Sequence, residues 1–396
     1  MGYDFDEVID RRAIPNLTKW SLYGPDALAL WIADMDFRTP EPILAALDAA
    51  VRHGILGYEI AAPALFESIA ARLERRYGWR VSPDAIVAMP NANVGYRIAG
   101  EVFAKNAGIL VQPPVFHDFI HFPPEYGIVR QDAPLRRTEE GAVIRYALDP
   151  QAVMAALDTR GAATRMLILC NPHNPVGHVF TRDELAFIGG LCAERDILLC
   201  SDDIHGELTL GAAAYTPIAS LSPEIAAQSI TLISPGKAFN CSGFACAFAV
   251  IPDAAKREAF QRELARLALQ YPHASGAIVA RAAYSGACDD WQAALRQYLT
   301  ANRDLIVNFV RAEMPGIRVT RPDGTYLAWL DCRARVPGSP FDFFLKAGVA
   351  LSDGAPFGAG GEGHVRLNFA TPRAILIDAL ERMARALRAA PQELPR

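Results

Sequence analysis

Three apolar runs, each followed by a polar loop, decide the fold of this chain: Met166-Leu-Ile-Leu-Cys170 with Asn171-Pro-His-Asn-Pro-Val-Gly177, Ile197-Leu-Leu-Cys200 with Ser201-Asp-Asp-Ile-His205, and Ile230-Thr-Leu-Ile233 with Ser234-Pro-Gly-Lys-Ala-Phe-Asn240. Each run has the length of a buried strand, and helix-like segments separate the runs. This alternation is typical of a parallel sheet that helices cover on both faces.

The alternation extends outward from about Asp84 to Pro252, where three more strand-like runs occur: Ala85-Ile-Val-Ala-Met89, Ile109-Leu-Val-Gln112 and Phe248-Ala-Val-Ile251. We therefore predict an α/β fold whose large domain, residues 46–285, has a mostly parallel central sheet between helices. Polar loops at the carboxyl ends of such strands line a common crevice, where ligands bind.

The remaining sequence predicts a smaller α+β domain that both termini build. Lys256 to Leu269 has helical character, and Tyr326-Leu-Ala-Trp-Leu-Asp331 alternates like a half-buried strand. A C-terminal helix should bury one face that carries Leu376, Leu380, Met383 and Leu387. We assign residues 286–396 to this domain, and we expect the N-terminal segment, residues 1–45, to join it through the apolar anchors between Tyr3 and Trp20.

Composition excludes several classes of protein. With 396 residues, 51% of them hydrophobic and 21% charged, the chain is neither disordered nor fibrous. Its net charge of -5, without long blocks of either sign, argues against nucleic-acid and anionic-membrane partners. No apolar stretch approaches the roughly 20 residues of a membrane-spanning helix. The acidic N-terminus does not resemble a signal peptide, and the seven cysteines form no C-x-x-C pair, so a cytoplasmic location with reduced thiols is expected.

The polar residues at the predicted strand ends match the needs of pyridoxal phosphate. Lys237 is the lysine of these loops that can form the imine with the cofactor aldehyde. Asp202 can keep the pyridine nitrogen protonated, and Asn174 can donate to the ring oxygen. Phe116 can stack on the ring. Each loop alone also has a structural explanation, since Asn-Pro forms turns and Asp202 could cap a helix, but the combination favours the cofactor.

The phosphate of that cofactor needs donors at a helix start. The segment after the first run, Pro90-Asn-Ala-Asn-Val-Gly95, leads into a predicted helix, so the backbone N–H groups of Ala92 and Asn93 can serve. Ser234 can add a hydroxyl. No spacing of histidines and carboxylates suggests a metal site, and none is predicted.

These motifs resemble those of fold type I pyridoxal-phosphate enzymes, the aspartate-aminotransferase superfamily, and within it the MalY/PatB group of cystathionine β-lyase-like enzymes. The resemblance runs in family order from near residue 5 to near residue 372. The matching stretches are Trp31-Ile-Ala-Asp-Met-Asp-Phe37, Gly57-Tyr58, Gln112-Pro-Pro-Val-Phe116, Asn171-Pro-His-Asn-Pro-Val-Gly177, Ser201-Asp-Asp-Ile-His205, Lys237-Ala-Phe-Asn240, Gly324-Thr-Tyr-Leu-Ala-Trp329 and Val365-Arg-Leu-Asn-Phe369.

For the cofactor, the resemblance implies the same roles that the chemistry suggests. Lys237 corresponds to the Schiff-base lysine, Asp202 to the pyridine partner and Asn174 to the ring-oxygen donor. His205 occupies the place where related aminotransferases often carry a tyrosine that faces the same oxygen. His205 could equally be a more distant hydrogen-bond donor.

For the substrate, the resemblance implies that Arg366 binds the α-carboxylate, a task that suits a planar, permanently charged group. Ala33 and Asp34 should lie over the substrate pocket. Tyr58 should reach across the interface of a homodimer with shared active sites. Without the family, Arg366 could be a surface ion pair and Tyr58 a core residue.

Four positions depart from the family pattern. Phe116 stands where many members carry tyrosine, so a phenol hydroxyl is missing. Gly236 precedes the lysine in place of serine or threonine, and Asp203 replaces the commoner glutamate. Ala245 stands where many superfamily members have a phosphate-binding arginine, which the MalY/PatB group generally lacks too.

The resemblance favours a C–S β-lyase that converts an S-substituted cysteine to a thiol, pyruvate and ammonia. Transamination is one alternative, and a decarboxylating or oxidative reaction on a cysteine conjugate is another, because Phe116 lacks the hydroxyl that could steer proton transfer. A different class of function also stays open, since some members of such families act as regulators by binding a partner protein.

Overall fold

All six apolar runs form strands in the computed structural model, which describes residues 2–14, 17–55, 57, 63–158, 162–270 and 273–390. The strands of the described part are β1 (Leu28–Ala29), β2 (Ile86–Met89), β3 (Gly108–Val111), β4 (Val129–Asp132), β5 (Arg136–Glu140), β6 (Val143–Ala147), β7 (Thr164–Cys170), β8 (Leu198–Asp202), β9 (Ser229–Ile233), β10 (Ala247–Val250), β11 (Arg318–Thr320), β12 (Leu327–Asp331), β13 (Val349–Ala350), β14 (Ser352–Asp353) and β15 (His364–Asn368).

Helices pack against the sheets that these strands build. They are α1 (Thr18–Ser21), α2 (Glu41–His53), α3 (Pro63–Tyr77), α4 (Ala92–Phe103), α5 (His117–Glu125), α6 (Pro150–Leu157), α7 (Arg182–Glu194), α8 (Pro223–Ala227), α9 (Pro235–Ala238), α10 (Ala254–Arg266), α11 (Ala274–Tyr284), α12 (Asp289–Glu313), α13 (Pro340–Lys346) and α14 (Arg373–Ala389). No helix in the described ranges is long and apolar enough to cross a membrane.

The large sheet has the order β2-β10-β9-β8-β7-β3-β4. Only β10 runs antiparallel to its neighbours within this sheet, so the carboxyl ends of the other strands share one edge. The predicted α/β class with a mostly parallel central sheet is confirmed. The register pairs Asp202 with Cys170 and with Leu232, which places three of the polar loops side by side.

Helix α4 is held close to this sheet by a glycine. A Cβ atom on Gly95 would lie 2.9 Å from side-chain atoms of Leu232 and Met89, so glycine lets the helix approach the strands. The approach fixes the start of α4 at the carboxyl edge of the sheet, where the polar loops lie.

The second sheet has the order β14-β15-β12-β11-β6-β5. Its edge hairpin, β5 with β6, comes from the middle of the chain, so part of the predicted large domain contributes to it. The domain limits at residues 45 and 285 stay a prediction. Strand β12 is buried on both faces rather than half-buried as its alternation suggested, because β11 and β15 flank it and apolar clusters lie above and below.

The N-terminal segment meets the C-terminal part of the chain in a separate two-stranded sheet and on α12. Strand β1 pairs in parallel with β13, and Phe5 lies 5.7 Å from Trp291 and 5.4 Å from Tyr298 between ring centroids on α12. The expected C-terminal helix is α14, and all four of its predicted apolar residues are buried. This arrangement places the N-terminal segment next to Arg366 on β15.

Candidate active site

Lys237 lies on the one-turn helix α9, immediately beyond the carboxyl end of β9. Its side chain is half-buried, and Nζ donates a hydrogen bond to the carbonyl oxygen of Ala33 at 2.7 Å. Burial lowers the pKa of Lys237 to about 8, with Asp34 opposing and Arg366 supporting the shift. A substantial share of this amine is therefore uncharged slightly above neutral pH, as a nucleophile or base requires.

Asp202 ends strand β8 and is buried, with 4% of its surface exposed. Within the described residues, the hydrogen-bond donor to its carboxylate is the backbone N–H of Ile204 at 3.4 Å. Burial raises the pKa of Asp202 to about 7. One long hydrogen bond offsets little of the cost of burying a carboxylate, so this site suits a cationic N–H partner. A protonated pyridine nitrogen is such a partner.

Arg366 joins the two sheets through a contact with Asn174. Its NH1 atom donates to Asn174 Oδ1 at 3.0 Å, while NH2 donates to the Trp31 carbonyl and to Ser352 Oγ, both at 3.0 Å. The guanidinium is buried but makes no ion pair with the described residues, and its Nε has no partner among them. Burial lowers the pKa of Arg366 to about 10. A buried cation without an anion fits a substrate carboxylate.

His205 follows β8 and is buried against the ring of Tyr326, with 5.6 Å between the ring centroids. Its Nδ1 atom has no hydrogen-bond partner in the described part of the chain. Burial, with support from Lys237 and Arg366, holds the pKa of His205 well below its usual value. The imidazole is therefore neutral and can exchange a hydrogen bond with a ligand.

Phe116 is the residue before helix α5, and its ring is half-buried. The ring packs edge-on against Phe119, with 5.5 Å between centroids. This contact fixes the ring beside the carboxyl end of β3, on the side of the sheet edge where the predicted cofactor-binding residues lie.

The start of α4 offers two backbone donors. The side chain of Asn91 accepts the N–H of Val94 at 3.0 Å, which leaves the N–H groups of Ala92 and Asn93 without an intrahelical acceptor. The hydroxyl of Ser234, predicted to donate to the phosphate, already has two hydrogen-bond partners. Its hydroxyl donates to the Cys246 carbonyl at 2.6 Å and accepts the N–H of Gly236 at 3.1 Å, so it must change partners before it can donate to a phosphate.

Ala33 and Asp34 lie near Lys237, and their expected place over the substrate pocket stays a prediction. Asp34 forms an ion pair with Arg11 at 2.7 Å, and Arg11 also reaches Asp36 at 2.8 Å. Tyr58 lies outside the described residues, so its role stays a prediction. Groups of three or more side chains suited to a metal ion do not occur within the described ranges.

Three residues of the candidate site were not predicted from the sequence. Asn368 donates to the carbonyl oxygens of Ile32 and Asp34 at 2.6 and 2.7 Å. Its position two residues after Arg366 on one strand could have indicated it, because side chains alternate along a strand. Ser352 and Phe357 contact Arg366 from short elements that no motif identifies.

The residues present fit pyridoxal phosphate. A half-buried lysine, a buried carboxylate with one backbone donor and a neutral histidine lie at the carboxyl edge of the large sheet, where α4 also begins with free N–H groups. Arg366, on β15 of the second sheet and without an ion pair among the described residues, reaches this edge through Asn174. These are the partners that an aldehyde, a pyridine nitrogen, a ring oxygen, a carboxylate and a phosphate require.

Comparisons with known proteins agree with this fit. Residues 29–383 match the family model described as aminotransferase class I and II. Over 393 residues the chain is 35% identical to cystathionine beta-lyase PatB of Bacillus subtilis, with 97% of this chain and 100% of the relative covered. The PLP-bound C-S lyase from Staphylococcus hominis superposes with a TM-score of 0.89 at 28% identity, covering 98% of each chain.

A further solved structure, cystalysin from Treponema denticola with pyridoxal 5'-phosphate, has a TM-score of 0.89 at 27% identity and covers 98% of this chain and 99% of its own. The resemblance to cystathionine β-lyase-like enzymes and the fold type I architecture are thereby confirmed.

Proposed function

Because the chain belongs to the aminotransferase class I and II family, we propose that it is a pyridoxal-phosphate-dependent C–S β-lyase that cleaves an S-substituted cysteine into a thiol, pyruvate and ammonia. The names of the Bacillus subtilis and Staphylococcus hominis proteins support this reaction. The observation that carries the proposal is the buried guanidinium of Arg366, which contacts Asn174 and forms no ion pair with the described residues. Arg366 and the Lys237 amine donate to carbonyls only two residues apart, those of Trp31 and Ala33. This arrangement suits an α-amino acid placed between them.

When bound, the cofactor supplies an electron-withdrawing ring that weakens the bonds at the substrate's α carbon. Asp202 holds a proton on the pyridine nitrogen, which keeps the ring electron-poor. Arg366 fixes the α-carboxylate through its planar pair of N–H donors. Asn174, which accepts from Arg366, orients its amide so that the NH2 group faces away from the guanidinium and can donate to the ring oxygen.

Lys237 moves the proton. Its amine takes the proton from the α carbon, because its pKa of about 8 leaves a useful neutral fraction near physiological pH. The resulting ammonium can then give that proton to the departing thiolate at the β carbon. Proton uptake and release by one side chain balances the elimination without a second acid. The three-carbon product, 2-aminoacrylate, tautomerises to an imine, and one water molecule then hydrolyses the imine to pyruvate and ammonia.

A decarboxylating or oxidative reaction on a cysteine conjugate is the second candidate function, and the phenyl ring of Phe116 favours it. A phenol at this position could deliver a proton, whereas Phe116 cannot. Transamination is the remaining alternative for the same site. Product identity separates the three reactions.

The proposal includes a homodimer with shared active sites. Leu44 and Val51 lie on one face of α2 with 37% and 67% of their surfaces exposed, and Ile55 just beyond the helix is 74% exposed. These apolar side chains lie 3 to 14 residues before Tyr58 in the sequence, which supports a second copy on this face. A cytoplasmic location is also part of the proposal, supported by seven cysteines that are all free thiols.

The experiment that tests the reaction uses purified protein and Lys237→Ala as its control. A panel of S-substituted cysteines and ordinary amino acids is incubated with and without a keto acid and oxygen. We expect equal amounts of thiol, pyruvate and ammonia without keto acid, and a loss of at least about 1,000-fold in the variant. If products form only with a keto acid and no thiol is released, the reaction is transamination and the lyase proposal is wrong. Protein that gains no colour with pyridoxal phosphate would overturn the proposal.

The dimer is tested by sedimentation and by mixing protomers. Tyr58→Phe and Lys237→Ala parents should each be inactive, and their mixture should regain activity because each heterodimer holds one complete site. Two inactive parents that stay inactive after verified subunit exchange would show that one chain builds each site.

A further inference from the structure

The buried side chain of His173 connects two of the polar loops at the carboxyl edge of the large sheet. Its Nε2 atom lies 2.9 Å from the carbonyl oxygen of Pro114, which is 59 positions earlier in the chain. His173 belongs to the loop after β7 and Pro114 to the loop after β3, and these two strands are neighbours in the sheet. The imidazole therefore bridges adjacent loops through a single hydrogen bond.

The partner of His173 determines which of its ring nitrogens carries the proton. Burial lowers the pKa of His173 to about 4, so the imidazole is neutral near pH 7 and has one N–H group. Because a carbonyl oxygen can only accept, that N–H is on Nε2 and donates to Pro114. Nδ1 has no hydrogen-bond partner among the described residues. His173 thus acts on the neighbouring loop through one donor at one defined atom.

The loop that receives this hydrogen bond leads directly to Phe116. Two backbone contacts also hold it: the Pro113 carbonyl accepts a backbone N–H at 2.9 Å, and the N–H of Val115 donates to the Phe357 carbonyl at 3.0 Å. Within the described parts of the chain, His173 supplies the one hydrogen bond that a side chain makes to residues 113–115. A substitution at His173 can therefore loosen this loop without altering the loop's own sequence.

The loop that carries His173 is closed by its own hydrogen bonds. The backbone N–H of His173 donates to the His178 carbonyl, and the His173 carbonyl accepts the N–H of Gly177, both at 2.7 Å. The next residue, Asn174, accepts a hydrogen bond from Arg366 at 3.0 Å. The imidazole therefore extends from a fixed backbone, beside the amide expected at the ring oxygen, to the loop after β3.

We infer that His173 positions Phe116 against the cofactor ring by holding the Pro114 carbonyl, two residues before it. The inference rests on the proposed cofactor and on the stacking role of Phe116. One side-chain hydrogen bond then sets the place of the stacking ring relative to Asn174. His173 acts through Phe116 and not on a reacting atom, so it is a positioning residue.

Two substitutions of His173 place an amide N–H at different points. The side-chain nitrogen of glutamine reaches the position of Nε2, whereas that of asparagine reaches only the position of Nδ1. In absorbance titrations of apoprotein with pyridoxal phosphate, His173→Gln should keep the dissociation constant within about threefold of wild type. His173→Asn should raise it about tenfold, because the buried Pro114 carbonyl loses its donor. His121→Asn, at an exposed histidine of α5, is the control and should leave the constant unchanged.

A double-mutant cycle separates positioning of Phe116 from a general loss of structure. In the Phe116→Ala background, His173→Asn should raise the dissociation constant less than about twofold, because no stacking ring is left to be positioned. An equal increase with and without the ring, or equal effects of His173→Gln and His173→Asn, would overturn the inference while the proposed function stands. Wild-type protein that binds no pyridoxal phosphate would overturn the proposed function and this inference together.

Discussion

The Nζ atom of Lys237 donates a hydrogen bond to the carbonyl oxygen of Ala33 at 2.7 Å, across 204 positions of sequence. The reactive amine is thus held by a neutral acceptor rather than by a carboxylate. A carboxylate in contact would stabilise the ammonium form and raise the pKa of the lysine. With the carbonyl instead, burial prevails and lowers the pKa of Lys237 to about 8.

The segment 31–37, which supplies this carbonyl, is held by hydrogen bonds at almost every residue. The Trp31 carbonyl accepts from Arg366, and Asn368 donates to the carbonyls of Ile32 and Asp34. The buried Lys19 also donates to the Asp34 carbonyl at 2.8 Å. Arg366 and Lys237, for which we propose substrate binding and catalysis, are therefore positioned through one segment of backbone.

Asn368→Ala should slow catalysis without releasing the cofactor. The substitution removes two donors to the segment and leaves two carbonyls without these partners, so the acceptor of Lys237 loses its fixed place. We expect kcat/KM to fall about 10- to 100-fold, as small misplacements of reacting groups often cause. Steady-state kinetics and titration with pyridoxal phosphate measure the two effects separately. Asn308→Ala, at an exposed asparagine of α12, is the control, and an equal loss there would contradict the explanation.

Asp202→Asn should change how the stability of the apoprotein depends on pH. The pKa of Asp202 is about 7 in the folded chain, against about 3.9 for an unfolded aspartate. The folded state therefore keeps this proton longer, and the contribution of Asp202 to stability, full below pH 4, is lost as pH rises through 7. Three pH units correspond to roughly 4 kcal/mol, as an order of magnitude.

Denaturant unfolding of both apoproteins between pH 5 and pH 8 measures this effect. Buried histidines such as His173, whose pKa burial lowers to about 4, act in the opposite direction in the wild type. They are shared by both proteins and cancel in the difference. Asp203, whose pKa burial also raises to about 7, is raised further by Asp202, so the difference reports Asp202 together with its effect on Asp203. The variant should gain stability relative to the wild type as the pH increases. A difference that stays constant over this range would contradict the raised pKa.

Arg366→Lys should not behave as a conservative change. Two nitrogens of the guanidinium reach three different acceptors at 3.0 Å, and an ammonium group cannot reproduce that fork. We expect kcat/KM for the amino acid to fall at least about 100-fold, a loss of roughly 3 kcal/mol in transition-state binding. Binding of pyridoxal phosphate should change little, which equilibrium titration checks. If Arg366→Lys keeps nearly wild-type kcat/KM, another residue binds the α-carboxylate of the substrate.

The strands, and the positions of the candidate cofactor-binding residues at their ends, could be predicted because each follows from a local pattern. Six apolar runs of four or five residues predicted six of the strands within two residues at each end. Lys237, Asp202 and Asn174 follow directly after such runs, so the topology of a parallel sheet alone brings them to one edge.

Other features depend on contacts between distant segments and left no local pattern. The hairpin β5–β6 joins the second sheet by pairing with β11, about 175 residues later, and nothing in its sequence indicates that partner. Ser352 belongs to a strand of two residues, too short for an alternation to be recognised. The hydrogen bond from Ser234 to the Cys246 carbonyl depends on how the loop after Lys237 folds back. Amino-acid composition does not determine that path.

Phe116→Tyr tests whether the missing phenol hydroxyl selects the reaction. The ring of Phe116 is half-buried against Phe119, and tyrosine keeps that packing while it adds one hydroxyl. Phe116→Ala should weaken binding of pyridoxal phosphate, because a stacking partner is lost. Phe116→Tyr should preserve that binding, so the hydroxyl becomes the only variable.

Product analysis then decides between the two candidate reactions. If the enzyme is a β-lyase, wild type and Phe116→Tyr both yield thiol, pyruvate and ammonia in equal amounts, and only the rate differs. If the phenyl ring leaves the activated α carbon without a proton donor, the wild type releases carbon dioxide or consumes oxygen, and Phe116→Tyr shifts the products toward elimination. If the wild type yields stoichiometric pyruvate and thiol, releases no carbon dioxide and consumes no oxygen, Phe116 has a stacking role alone. A phenyl ring has no titratable hydrogen, so it can act on the cofactor only through its packing surface.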